Sequence, residues 1–408
     1  MTNKDKKRLI ELANRQAELA HTPKMEKLRK EWEKHGNFDF SSRPMMTVEL
    51  WTFQDEIIPP LMKCEEEEAR KLEFMLLSNT VNHTQFGDDT IVKDYLPVYY
   101  DTSFKPFDID VQVEETGGLG HQFVQKITDL EDDFHKLNPS VFSVDKPSLQ
   151  SKIGYYHSIF GDVLPAKPEM GSVGFCPTQN IVHLMGMETM YMSMYDYPEL
   201  FHKMMGQLTD DFLKYVKMLE KEGLLLPTAA DAHLSQGSYC FNAILPKEGM
   251  KMKAKDVWLY MDSQESAGIS PDMYAEFIAP YYKKTAEHFG LLSYGCCEAV
   301  DPIWDCAVSK YSNLQKVSIS PWCNEEFMGE KLKGKNIVYL RKPFPNDLGV
   351  GADLDEEAVR AHIKKTVDAA QGCTLEFACR DVYSVNRNPD KVKRYVEIMR
   401  ECCESHKK

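Results

Sequence analysis

Residues 257–305 read VWLYMDSQESAGISPDMYAEFIAPYYKKTAEHFGLLSYGCCEAVDPIWD. VWLYM is a continuous apolar run, the pattern of a short strand buried on both faces. Polar DSQE follows it. Ser270-Pro271 then opens a helix, with Pro at its first position, that runs to Phe289-Gly290. A second apolar run, LLSYGCC, ends beside Glu298. Strand, polar turn, helix and strand make one parallel βα unit.

The unit repeats on both sides. Upstream, a helix over 198–222 stops at Gly223, and LLLPTAA (224–230) reads as a strand. Downstream come a helix over 301–310, strand LQKVSIS, a helix over 324–333, strand NIVYLRK, a helix over 354–371, strand TLEFAC and a terminal helix from Pro389. Strands near 45–51 and 171–175 bring the count to eight. No G-x-G-x-x-G or G-x-x-x-x-G-K-[ST] occurs, so the usual nucleotide-fold fingerprints are missing. Polar residues collect just after the strands: Asp231 and His233, Asp262 to Glu265, Cys296 to Glu298, Arg341 and Lys342, Cys379 to Asp381. A closed barrel brings all strand ends to one mouth, whereas an open sheet spreads them along a line. The expected fold is therefore an α/β (β/α)8 TIM barrel over 41–408. Helices over 1–40 form an N-terminal extension. An inserted loop and strand region over 87–125 is broken by Gly117, Gly118 and Gly120.

The chain has 408 residues, 43% of them hydrophobic and 27% charged, which excludes global disorder. There are 63 acidic against 49 basic residues, a net charge of −14. That balance argues against general nucleic-acid or anionic-membrane binding. No apolar run approaches the ~20 residues of a membrane helix, and MTNKDKKRLIELANRQ lacks the apolar region of a signal peptide. The expected setting is the cytoplasm, with all eleven cysteines reduced. No G-x-S-x-G, H-E-x-x-H or C-x-x-C is present.

Candidate chemistry lies at the strand ends. Catalytic zinc takes about three protein ligands from Cys, His and carboxylate. Cys296 or Cys297 with Cys379 would supply thiolates from two strands, Glu265 a carboxylate, and His233 or Cys323 a further donor. The competing reading is that strand cysteines are small core residues. Asp262 and Glu265 either face the barrel mouth or cap the turn. Arg341, Lys342 and Arg380 either hold an anionic substrate group or pair with nearby acids. The methionines of MGMETMYMSMYD (185–196) read as core packing, or else as a docking surface for a large apolar cofactor.

The segment Ile269-Ser270-Pro271-x-Met273-Tyr274-x-Glu276-Phe277-x-x-Pro280-Tyr281, with the following strand, resembles the uroporphyrinogen decarboxylase-like superfamily. The resemblance spans about residues 40–400 and itself implies a (β/α)8 barrel. It implies one of two activities: decarboxylation of a porphyrinogen, or zinc-dependent methyl transfer to or from a corrinoid. The decarboxylase carries an Arg-rich RQAGRY-type segment on its first strand. Here that strand reads RPMMTVELWTFQDE (43–56), with Arg43 alone, so the resemblance favours the corrinoid-dependent methyltransferase and O-demethylase branch. That branch binds zinc through His-x-Cys and a later Cys. Here Tyr294 stands at the His position, Cys296 matches the Cys, Cys297 replaces a Gly, and Cys379 falls near the later Cys. Glu265, Cys297 or His233 would have to replace the His.

The implied reaction takes a methyl group from a small methylated donor, such as an aryl methyl ether. The methyl passes to a Co(I) corrinoid (cobalamin) on a partner protein, while zinc activates the leaving group. Glu298, with His233 and Asp262, would manage protons, and a homodimer is compatible with the resemblance. Two alternatives remain open here. One is a metal-independent decarboxylase with Arg341, Lys342 and Arg380 in a basic pocket. The other is a non-catalytic tetrapyrrole or corrinoid binder.

Overall fold

A computed structural model describes residues 1–115, 121–249 and 251–405; Gly117, Gly118 and Gly120 lie outside the described residues. Its centre is a seven-stranded, all-parallel sheet built from β1 (Met45–Val48), β2 (Val173–Gly174), β3 (Trp258–Met261), β4 (Leu291–Tyr294), β5 (Leu314–Ile319), β6 (Val338–Arg341) and β7 (Thr374–Cys379). The spatial order is β1, β7, β6, β5, β4, β3, β2. The first strand thus pairs with the last, Met45 opposite Glu376 and Val48 opposite Cys379. Such a cyclic order belongs to a sheet curling on itself, not to a doubly wound sheet, whose order reverses in the middle.

No ladder joins β2 to β1. The eighth strand expected at 224–230 is buried at Leu224 and Leu225 but carries no ladder pairing. Pro227 has no N–H to give to a ladder, and Thr228 is engaged through its hydroxyl, which accepts from the Trp258 N–H at 2.7 Å. A short antiparallel hairpin, His233–Leu234 with Ser238–Tyr239, touches both free edges instead. The Ser172 N–H donates to the His233 carbonyl, and the Thr47 hydroxyl to the Gly237 carbonyl.

Helices cover the outer face. Pro198–Glu222 ends as expected at Gly223, which takes the left-handed conformation that caps helices. The helix expected over 270–289 is broken into Pro271–Phe277 and Ala279–Ala286. Pro280 has no N–H, and its ring collides with the carbonyl one turn back. Of the helix expected over 301–310, Asp301–Trp304 and a single 3-10 turn at Val308–Lys310 form. Small two-stranded sheets extend from Leu96 to Pro168, beyond the 87–125 insertion.

Of the N-terminal helices, Asn3–Ala20 packs on the helices Glu67–Val81 and Lys146–Phe160, and the end of Pro23–Gly36 meets the sheet. The His35 Nε2–H donates to the Leu375 carbonyl at 3.1 Å, and the Trp32 indole to the Asp89 carbonyl at 2.8 Å. Burial holds the His35 pKa down to about 4, so the ring is neutral. Gly36 lies so close to the 241 backbone that a Cβ there would stand 2.2 Å from its carbonyl oxygen. Nearby, the buried Lys316 ammonium donates to Glu376 at 2.8 Å and to the Ser238 hydroxyl at 2.6 Å.

Candidate active site

Side chains alternate across a strand, and this parity sorts the predicted residues. On β7, Glu376 faces Lys316 inside the sheet. Ala378 and Arg380 share its face, and Cys379 takes the other. The Cys379 thiol packs on the terminal helix, 3.6 Å from the Met399 sulfur. On β6 and just after it, Arg341 and Lys342 diverge for the same reason. Arg341 turns outward to Glu325 at 3.1 Å and to the Ile319 and Ser320 carbonyls. Its expected substrate role is thus replaced by an ion pair between layers. Arg341→Met is expected to lower stability, because the Glu325 carboxylate loses its partner in a buried setting, while ligand affinity at the mouth is unchanged; thermal melts and binding isotherms check both.

Lys342 turns inward. Its ammonium donates to Gln236 Oε1 at 2.6 Å and to the Cys296 carbonyl at 2.9 Å. Gln236 also accepts from the Cys296 thiol at 3.1 Å. Gln236 has φ +72°, a left-handed conformation costly for a residue with a Cβ. The hairpin turn thus aims one amide at both a thiol and an ammonium. Sequence inspection missed this residue, because it lies in a loop far along the chain from its partners.

Gly295, at φ +100°, turns the chain after β4 and presents two adjacent thiols. The Cys296 and Cys297 sulfurs stand 3.4 Å apart, and Cys297 faces Asp381 at 3.7 Å. The adjacent Cys296 thiol, with Lys342 and Arg380, holds the Cys297 pKa below the usual thiol range. Cys296 is shifted up, so Cys297 loses its proton first.

Asp262, just past β3, is buried. One carboxyl oxygen accepts from the Tyr260 hydroxyl, and Oδ1 has no hydrogen-bond partner. Burial raises its pKa against the opposing influence of Tyr260, Lys342, Cys176 and Arg380. Arg380 lies 3.4 Å from Glu49 and 3.2 Å from Asp381, yet its buried Nε and Nη1 make no hydrogen bond. Arg380 is thus flanked by two carboxylates, and the atoms a polar ligand would complete are the Asp262 Oδ1 and the Arg380 Nη1.

Glu298 is a clamp. Its two oxygens accept from the Ser263 and Cys296 N–H groups at 3.0 and 2.8 Å, tying the turn after β3 to the end of β4. Burial, then the charge of Asp262, pushes its pKa up to about 7 from an ordinary 4.5. The folded chain therefore holds this proton more tightly than the unfolded chain does. The resulting stabilisation is complete below the ordinary carboxyl range and is lost as pH rises through about 7. Glu298→Gln is expected to flatten the fall in stability between pH 4.5 and about 7, measured by denaturant melts across that range.

His233 lines a cavity of about 250 Å³ with Thr47, Glu49, Trp51, Asn82 and Tyr239. His233 is exposed at this cavity, and crowding by neighbouring protein atoms, then Lys93, shifts its pKa below the usual imidazole value. This cavity adjoins the cluster through the Glu49–Arg380 pair. A larger cleft of about 320 Å³ opens on the outer side at Arg341, Glu325, Asp347 and His362, and includes none of the mouth residues.

The zinc set read from sequence is not gathered. Cys379 faces outward, and Glu265 accepts from the Thr178 hydroxyl at 2.9 Å beside the Pro177–Asp196 helix. Cys323 is placed by the Val300 N–H and the Ser320 hydroxyl. Among the described residues, no group of three or more His, Cys, Asp or Glu is arranged to hold a metal ion. The donors do not fit the expected zinc site. Among the described residues, too, no helix is long and apolar enough to cross a membrane.

No family model and no curated protein matches the chain. Among solved structures, a methyltransferase from Methanosarcina mazei aligns over 82% of this chain and 86% of its own, with 13% identity and a TM-score of 0.43. At that level the likeness carries neither fold nor activity.

Proposed function

We propose that this chain is a methyltransferase. It takes a methyl group from a small anionic donor, such as an aryl methyl ether bearing a carboxylate, and passes it to a Co(I) corrinoid on a partner protein. The observation that carries the reading is Asp262: a buried carboxyl with a raised pKa and one free oxygen, set among Lys342 and Arg380. Arg380, with Lys342 beside it, orients the donor through its anionic group. Asp262 in its acid form gives its proton to the ether oxygen as the methyl–oxygen bond breaks. The leaving group departs as a neutral alcohol or phenol, and Asp262 recovers its proton from solvent. The corrinoid, when docked, supplies the nucleophile that accepts the methyl. Exposed Trp51, Trp322, Val350 and Tyr383 stand in loops after β1, β5, β6 and β7 and offer an apolar rim for a large cofactor.

The test is an anaerobic assay of Co(I) loss with methyl ethers that carry or lack a carboxylate. The reading expects turnover of the anionic ethers and a raised KM in Arg380→Met. One observation favours a second reading: Lys342 and Arg380 converge with Asp262, as a metal-independent decarboxylase requires. Release of carbon dioxide from those donors, without methyl transfer, would select it.

A further inference from the structure

The two thiols after β4 have a use that does not depend on the proposed methyl transfer. The geometry points to the Cys296–Cys297 pair as a chelating site for trivalent arsenic, as arsenite or a monosubstituted arsenical. Two observations carry this. The sulfurs face each other at 3.4 Å, so one thiophilic centre reaches both without forming the S–S bond that adjacent cysteines accommodate poorly. With sulfur bonds of about 2.3 Å, the angle at that centre is about 95°, nearer a pyramidal three-coordinate atom than a tetrahedral ion. Finally, no third protein donor is arranged with them among the described residues. That shortage disfavours zinc, but it suits an element that takes two thiols and keeps a ligand of its own.

Access and reactivity agree. Cys296 is buried, but Cys297 is half-buried at the mouth. The remaining arsenic ligand would lie near Lys342, Arg380 and Asp381, where the site is polar. The exchange balances without oxidation. Two arsenic–sulfur bonds form as two arsenic–oxygen bonds break, and the thiol protons leave with the displaced oxygen as water. The other adjacent pair, Cys402 and Cys403, lies on the helix Pro389–Ser405, where neighbouring side chains diverge by about 100°.

The probe is phenylarsine oxide added to the reduced full-length chain, read by intact mass and by protection from iodoacetamide with peptide mapping. One tightly held adduct per chain is expected, shielding Cys296 and Cys297 and reversed by a small dithiol. Cys296→Ser and Cys297→Ser should each weaken binding on the order of 10²-fold or more, because the second bond is intramolecular. Cys402→Ser should bind as the wild type does. Circular dichroism establishes that each variant is folded. If a serine variant is not folded, the wild-type protection map decides alone. No adduct on the wild type, shielding of other cysteines, or full retention in folded Cys297→Ser would overturn the assignment.

Discussion

Asp262→Asn is expected to lower methyl transfer by about 10²- to 10⁴-fold, the range in which a positioned general acid contributes. The exchange is nearly isosteric, and the Asn oxygen can still accept from Tyr260. What it removes is the acidic proton. Burial raises the Asp262 pKa above the ordinary carboxyl value, so the acid form persists to higher pH than in a free carboxyl. The wild-type rate should therefore fall as pH rises through that pKa, because only the protonated form can donate. The residual rate of the variant should lack this limb. Folding should not suffer: an amide is easier to bury than a carboxyl, so the melting temperature should hold or rise. Equal rates for variant and wild type would remove Asp262 from the mechanism.

Glu376→Leu is expected to cost about 3–5 kcal/mol of stability, the range for breaking a buried ion pair from one side. The side chains of Lys316 and Glu376 are 2% and 0% exposed. Without Glu376, the ammonium keeps the Ser238 hydroxyl as its hydrogen-bond partner. Adding Lys316→Met should recover most of the loss, since an apolar pair of similar volume avoids the desolvation cost. Denaturant melts of the two single variants and the double variant form the cycle that measures this coupling. A single-variant loss below about 1 kcal/mol would mean the charges are hydrated.

The strands after 257 were legible because parallel strands buried on both faces are plain apolar runs, as in VWLYM and LLSY. Gly223 and Ser270-Pro271 marked helix ends by their backbone chemistry. The site was legible only as strand ends. Which of two adjacent residues faces the mouth depends on strand parity, and nothing local in Arg341-Lys342 or Cys379-Arg380 anchors it. The charged residues that would anchor it, Lys316 and Glu376, read as breaks in apolar strands rather than as their inner face. The 233–239 hairpin and Gln236 lie in a loop whose partners are up to 190 residues away in sequence, so no pattern along the chain reveals them. The break at Ile278 could have been read from Pro280.

The proposed reacting centre is Asp262 with Arg380. The most direct test follows Co(I) absorbance anaerobically with a carboxylated aryl methyl ether, for the wild type, Asp262→Asn and Arg380→Met, with the demethylated phenol measured in parallel. Matched loss of Co(I) and release of phenol are expected in the wild type, with a fall of about 10²-fold or more in Asp262→Asn and a raised KM in Arg380→Met. Phenol release that is the same in all three proteins, or none from any donor while carbon dioxide is evolved, would contradict this assignment.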